Sequence, residues 1–158
     1  MSTEKVKQYL AKWQRDQDVV ELAVSTATVN LAAEALGVIP GRIAKSITFY
    51  KADSGLMVVA AGDTRIDNKK FKKCFGFSPK MLSMDEARRL TGFEVGGICP
   101  FDLPDTCEVY LDESLKRFES IFPACGSSSS MIELTVSELE EYSRSRGWVD
   151  VCRQSGQN

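Results

Sequence analysis

The sequence of residues 42–51 is Arg42-Ile43-Ala44-Lys45-Ser46-Ile47-Thr48-Phe49-Tyr50-Lys51. It is rich in β-branched and aromatic residues, which predicts a β-strand. Successive side chains of a strand point to opposite faces, so Lys45 shares a face with three large apolar residues. These are Ile43, Ile47 and Phe49. A lysine there must extend to water, protect a sheet edge, find a partner or face a binding cavity, and alternation alone leaves these alternatives open.

A second strand is predicted immediately downstream. Residues 56–61 read Leu-Met-Val-Val-Ala-Ala, a nearly continuous apolar run that is typical of a central strand. The intervening Ala52-Asp53-Ser54-Gly55 is a typical hairpin turn. We therefore expect an antiparallel pair of strands at the centre of the fold.

Apolar periodicity and capping residues place the other elements around this pair. Helices are predicted at residues 2–16, 29–36, 68–75, 84–90 and 136–144, the last two beginning at capping boxes formed by Ser83 with Glu86 and by Thr135 with Glu138. Further strands are predicted at residues 19–24, 107–111, 120–124, 131–134 and 148–152. Residues 62–65 are predicted to form a loop. This irregular order favours one α+β (mixed α/β) domain over residues 1–158, with its core at about 19–152 and a central mixed, partly barrel-like sheet flanked by helices.

Composition narrows the possible chemistry. The 158 residues contain no histidine, which excludes Ser-His-Asp triads, Cys-His proteases and HExxH metalloproteases. The five cysteines form no C-x-x-C pair, and the glycines form no nucleotide-binding fingerprint. No metal site and no cofactor are predicted. The absence of a long apolar run or a signal-like N-terminus predicts a cytoplasmic protein without a membrane partner.

The charge of the chain indicates less about its partners than the composition indicates about its chemistry. The net charge of −2 argues against non-specific nucleic-acid coating and against a DNA partner. The predicted helix at residues 68–75 nevertheless carries a lysine cluster, from which Lys69, Lys70 and Lys73 are candidates for contacting RNA phosphates. The alternative is that these lysines form an ordinary solvated face.

Four stretches together resemble the YbaK family, also described as the prolyl-tRNA-synthetase-associated editing-domain family. They are Ala44-Lys45-Ser46-Ile47, Ala61-Gly62-Asp63-Thr64-Arg65-Ile66-Asp67, Thr91-Gly92-Phe93-Glu94-Val95-Gly96-Gly97-Ile98-Cys99-Pro100-Phe101, and the segment from Gly126-Ser127 to Leu134. The resemblance covers residues 25–152. It implies a freestanding, metal-independent deacylase that hydrolyses the ester bond of mischarged tRNA in trans. Mischarged tRNA is then the expected partner, together with an aminoacyl-tRNA synthetase.

The resemblance also implies site residues. Lys45 matches the family's strand lysine in the pocket, Gly96 and Pro100 match its Gly-x-x-x-Pro loop, and residues 126–130 match the loop that shapes the amino-acid pocket. Some members carry Asn after the lysine and His in the late loop. Here Ser46 and serines stand at these positions, so the substrate preference of those members is not transferred.

Ester hydrolysis needs a held carbonyl, a stabilised oxyanion and a directed water. We assign catalytic roles to Lys45 and to the backbone at Gly96 and Gly97, because glycine lets N–H groups approach a ligand closely. Lys45 is expected to position the substrate rather than to act as a nucleophile. The remaining residues expected to contact the substrate are Ser46, Ile98, Pro100, Gly126, Ser127, Ser128 and Ser129.

Two other side chains are weighed against simpler roles. Asp63 is a polar candidate, although a loop or capping role suits it better. Cys99 lies in residues 96–101, which we call the glycine loop. No histidine or adjacent basic residue activates it there, so a packing role is expected. With no obvious base, a water directed by the ribose hydroxyl of the tRNA is the simplest hypothesis. A non-catalytic module that binds tRNA, an amino acid or a protein is the alternative function, and an unrelated small-molecule hydrolase is a third.

Overall fold

The computed structural model describes residues 2–52 and 54–155. The helices are α1 (Ser2–Leu10), α2 (Val29–Leu36), α3 (Asn68–Phe75), α4 (Met84–Thr91) and α5 (Val136–Tyr142). The strands are β1 (Val20–Glu21), β2 (Ile43–Lys51), β3 (Ser54–Ala61), β4 (Thr64–Ile66), β5 (Cys107–Asp112), β6 (Ser120–Pro123), β7 (Ser130–Met131), β8 (Leu134–Thr135), β9 (Trp148–Val149) and β10 (Cys152–Gln154). Within this described part, no helix is both long and apolar enough to cross a bilayer.

A curled six-stranded sheet forms the centre of the molecule, in the order β8-β6-β2-β3-β5-β9. The predicted pair β2 and β3 is antiparallel, whereas β2 with β6 and β3 with β5 are parallel. Two small sheets, β1-β7 and β10-β4, lie apart from it. The predicted α+β class with a mixed, partly barrel-like sheet is therefore confirmed. Of the predicted hairpin turn, Asp53 lies outside the described residues.

The central sheet is covered on both faces, which explains the unbroken apolar run of β3. Met57, Val59 and Ala61 face the larger core, and the alternate residues of β3 pack with Phe71 of α3 on the other side. Directly opposed residues of antiparallel strands share a face. Lys45 is opposite Ala60 and therefore lies on the α3 side of the sheet.

Local sequence signals were accurate at the helix starts and less so at the short strands, and the helix predicted at residues 2–16 ends at Leu10, where a 3-10 turn follows. Both capping boxes are present, with Ser83 and Thr135 accepting from the backbone N–H three residues later. The predicted loop at 62–65 is wrong in part, because β4 forms there against β10. The predicted strand at 148–152 is divided between two sheets, since the buried carboxylate of Asp112 accepts from the N–H of Val151 at 2.9 Å and holds the chain at the turn.

Candidate functional site

One edge of β2 lacks a strand partner for part of its length. Within residues 2–52 and 54–155, β6 pairs with β2 only at its first two residues. The segment 80–82 joins the same edge again near Thr48 and Tyr50, where the N–H of Tyr50 donates to the carbonyl of Lys80 at 2.7 Å. Alternate residues of a strand direct their backbone polar groups to the same edge, so the backbone of Ser46 faces the gap.

A cavity of about 230 Å³ opens at this gap, and we call it the β2-edge cavity. Five parts of the chain form its walls: the segment that leads into α2, the first half of β2, the glycine loop, the residue after β6 and the end of β7. The lining residues are Thr26, Ala27, Thr28, Val29, Ile43, Ala44, Lys45, Ser46, Val95, Gly96, Ile98, Ala124 and Met131. Four of the predicted site residues therefore meet in one place: Lys45, Ser46, Gly96 and Ile98.

Lys45 is a half-buried cation at this cavity. Its ammonium donates to the carbonyl of Thr64 and does not extend into open solvent. Burial lowers the pKa of Lys45 below its ordinary value, while the nearby Cys152 and the carboxylate of Asp63 act in the opposite direction. A positive charge in a partly dry setting interacts more strongly with an anionic or carbonyl ligand than one in water.

The hydroxyl of Ser46 is a second polar group at this cavity. It is buried and has no hydrogen-bond partner within the described residues. Buried hydroxyls are normally paired, and this one would need a turn of its side chain to reach a ligand in the cavity.

The glycine loop contributes Gly96 directly and Gly97 indirectly. Gly96 has φ +98° and lines the cavity, where an added Cβ would lie 3.2 Å from that of Ala27. The N–H of Gly97 already donates to the carbonyl of Glu94 at 3.0 Å. The expectation that Gly97 offers its N–H to a substrate is therefore corrected. The N–H groups of Gly96 and Ile98 have no acceptor among the residues described, so they are the loop's available donors.

Gly97 is required for close packing instead. An added Cβ would come within 2.6 Å of the backbone of Gly126 and Ser127. The carbonyl of Gly97 also accepts from the N–H of Gly126 at 3.1 Å. The glycine loop is thus held through its backbone against residues 126–130, which we call the serine loop.

The serine loop does not line the cavity, but Ser128 lies against Gly96, so the substrate contacts expected of Gly126, Ser127, Ser128 and Ser129 stay predictions. The carbonyl of Ser128 accepts from the N–H of Thr26 at 2.6 Å, and the carbonyl of Ser129 accepts from the N–H of Leu22 at 2.8 Å. The loop therefore acts by holding the segment that leads into α2.

A contact of Pro100 with the substrate also stays a prediction. Pro100 is buried beside Tyr9 at a different cavity and is absent from the lining of the β2-edge cavity. Its ring lies in the glycine loop, and its contact with the substrate was expected only from the resemblance.

The start of α2 is the wall that sequence reasoning missed. Thr28 caps the helix, its Oγ1 accepting from the N–H of Leu31 at 3.2 Å. The N–H groups of Val29 and Asn30 have no acceptor within the described chain, and free N–H groups give a helix N-terminus a partial positive charge. Residues 25–28 include several side chains that can cap a helix, but no local pattern indicates that they lie beside Lys45.

Asp63 is engaged elsewhere. Its two carboxylate oxygens accept from the guanidinium of Arg117 at 3.0 and 2.6 Å. These hydrogen bonds lower the pKa of Asp63, so it remains an ionised partner of Arg117 and is poorly suited to act as a base. Its expected structural role is supported by this geometry.

The lysines of α3 lie on its exposed side, with Phe71 buried beneath them. Lys70 donates to Asp150 at 3.2 Å and to the carbonyl of Cys152 at 3.0 Å, which fixes it to the protein. Lys69 and Lys73 are exposed. The contact of this helix with tRNA stays a prediction.

Cys99 gives a prediction that can be measured directly. Its side chain is fully buried, and burial raises the pKa of its thiol to about 12. We expect iodoacetamide at pH 8 to modify the exposed Cys74 in the native protein and to leave Cys99 unmodified, as read by mass spectrometry of peptides. Labelling of unfolded protein in urea is the control. Rapid modification of native Cys99 would contradict the packing role.

In the part of the chain that the structure describes, no three Cys, Asp or Glu side chains are grouped so that they could hold a metal ion.

Known proteins resemble this chain in sequence and in structure. The sequence profile of the family described as "Aminoacyl-tRNA editing domain" matches residues 23–142. The chain is 52% identical over 154 residues to the uncharacterized protein YwhH of Bacillus subtilis (strain 168), covering 97% of this chain and 98% of that protein. It is 29% identical over 130 residues to an Enterococcus faecalis (strain ATCC 700802 / V583) protein provisionally named Cys-tRNA(Pro)/Cys-tRNA(Cys) deacylase EbsC, covering 81% of this chain and 74% of that one.

A solved structure is similar over almost the whole fold. It was described as that of a provisionally assigned trans-editing enzyme for prolyl tRNA synthetase. The TM-score is 0.86 at 29% identity, covering 96% of this chain and 97% of the other.

Proposed function

The chain belongs to the aminoacyl-tRNA editing domain family, and we propose that it hydrolyses the ester bond of mischarged tRNA in trans, as a metal-independent deacylase. The printed names of the Enterococcus relative and of the similar solved structure describe deacylation and trans-editing for those proteins. They support the same class of reaction here. The amino acid and the tRNA are left to experiment.

One observation carries the proposal. Lys45 from β2 and Gly96 from the glycine loop line the same cavity, although they are far apart in the sequence. The cavity adds the start of α2 and the unpaired hydroxyl of Ser46. It therefore offers a cation, backbone donors and an apolar wall to one small ligand, which is the combination that an aminoacyl ester requires.

The proposed roles follow from these groups. Lys45 holds the carbonyl side of the ester or the adjacent phosphate as a fixed positive charge. The N–H groups of Gly96 and Ile98 stabilise the negative charge that develops on the carbonyl oxygen, where one such donor is typically worth ~3–4 kcal/mol. Ser46 gives the bound substrate a hydrogen-bond partner, and apolar residues such as Val29 and Ile98 surround its side chain.

The attacking water needs a director, and the sequence contains no histidine to supply one. Asp63 is bound by Arg117, and Cys99 is held as a thiol. We therefore assign the direction of the water to the ribose hydroxyl next to the ester. Exposed Lys69 and Lys73 are proposed to contact the phosphates of the same tRNA.

A deacylation panel tests the function. We expect wild-type protein to release the amino acid from at least one of alanyl-, cysteinyl-, seryl- and threonyl-tRNA faster than buffer alone, and to leave correctly charged prolyl-tRNA intact. Release of radiolabelled amino acid is the measurement. Protein that binds tRNA in a filter assay but hydrolyses none of the panel would instead be a binding module.

A further inference from the structure

A second cavity lies next to the β2-edge cavity and shares one residue with it. It has a volume of about 300 Å³. Its apolar lining comes from Val20, Leu36, Phe122, Met131 and Ile132, and the charged residues Arg15, Asp18 and Glu133 line the rest. Met131 is the residue that lines both cavities. Its side chain is 2% exposed, so it fills the space between them.

Met131 lies outside the main core of the protein. Met131 belongs to a small apolar cluster with Ala32, Ala33 and Ile43, separate from the main core. Ile43 lines only the first cavity, and Phe122 lines only the second. Alanines have no side chain beyond Cβ, so Met131 is the long, flexible member of the cluster that both cavities touch.

The backbone fixes where this side chain stands. Met131 is paired with Val20 of β1 on one side and forms a bridge with Ala124 on the other. Pairing on both sides prevents β7 from shifting its register, which would move Met131 to the opposite face. The position of Met131 is therefore set by the small sheet β1-β7.

From this geometry we propose that Met131 is the end wall of the amino-acid pocket and sets the largest side chain that the protein accepts. The inference rests on the proposed function, because it places the amino acid of the substrate in the β2-edge cavity. With Met131 present, that cavity admits small side chains. Longer apolar side chains, such as that of leucine, would need the second cavity as well.

Truncation of the wall tests the inference. In Met131→Ala, the two cavities should join, and the ratio of kcat/KM for leucyl-tRNA to that for alanyl-tRNA should rise by about tenfold or more over wild type. Met57→Ala is the matched control, because Met57 is equally buried but lies in the main core and lines neither cavity. The control should leave the ratio within about twofold of wild type, since selectivity depends on pocket contacts.

The possible results distinguish failure of the inference about Met131 from failure of the proposed function. A ratio that changes no more in Met131→Ala than in Met57→Ala would overturn the inference while leaving deacylation established. If wild type hydrolyses no aminoacyl-tRNA, the proposed function fails, and crystals of Met131→Ala under xenon pressure decide whether the wall exists. Xenon in the vacated space, absent there in wild type, supports the wall. Leu36 or Phe122 filling that space overturns it.

Discussion

Replacing Lys45 with methionine is expected to lower kcat/KM for deacylation by about two to three orders of magnitude while leaving the protein folded. Methionine keeps most of the apolar stem that packs against the sheet, but it removes the positive charge from the β2-edge cavity. A fixed charge next to the developing oxyanion contributes most when it is partly shielded from water. Initial rates on the best substrate of the panel give the measurement.

Lys45→Met should lower activity without lowering the stability of the protein. This combination distinguishes a functional lysine from a structural one. Burial lowers the pKa of Lys45 in the folded protein below the ordinary 10.5. At pH values between the lowered pKa and 10.5, the unfolded chain therefore binds more protons than the folded chain. Stability attributable to Lys45 therefore rises as the pH increases through its folded-state pKa, and at neutral pH the buried charge is unfavourable. Lys45→Met should consequently retain or exceed the wild-type melting temperature at pH 7.

Lys51→Met provides the matched control for this prediction. Lys51 lies on the same strand and the same face as Lys45, but it pairs with Glu108 and lines a different cavity. The Lys51→Met variant should therefore deacylate its substrate at the wild-type rate. The activity of wild type should also fall as the pH rises through the lowered pKa of Lys45, because the ammonium is then lost. Full activity in Lys45→Met would refute the assigned site.

Gly97→Ala is expected to destabilise the protein by about 2–4 kcal/mol and to remove activity with it. The added Cβ would come within 2.6 Å of backbone atoms of Gly126 and Ser127, and backbone yields less readily than a side-chain end. The glycine loop would have to move away from the serine loop, and Gly96 would move with it. Urea denaturation gives the change in free energy of unfolding, and the deacylation rate is measured in the same preparation.

A glycine without neighbours supplies the comparison. Gly76 has φ +85° at the end of α3, and nothing lies within 4 Å of an added Cβ. Gly76→Ala should therefore cost only about 1 kcal/mol, from the backbone conformation alone. Equal losses in the two variants would mean that the contact between the loops is not what requires Gly97.

Much of the fold was predictable because its signals are local. The alternation in β2 and the apolar run of β3 gave the central pair, and both capping boxes gave the starts of their helices. The short strands were less predictable. Elements such as β4, three residues long, form only because β10 arrives beside them, and a segment that short carries no periodicity of its own.

The candidate site was predictable only in part. Lys45 and Gly96 came from the resemblance, and the structure brings them to one cavity. Gly97 and the serine loop were assigned to the substrate because they matched motifs. Their backbone hydrogen bonds are made within the protein, where they hold the walls in place, and their contacts with the substrate stay predictions. A motif match does not distinguish a residue that touches a ligand from one that supports its neighbour.

The sequence by itself determined that a lysine stands on a strand of the central sheet and that any chemistry must proceed without histidine. It also determined where the capped helices begin, because a cap and a strand face depend on residues within a few positions of each other. Only the tertiary structure decided that β2 has an open edge, that the start of α2 borders it, and that Met131 lines both cavities there. Those facts depend on contacts between segments distant in sequence, which no local period records.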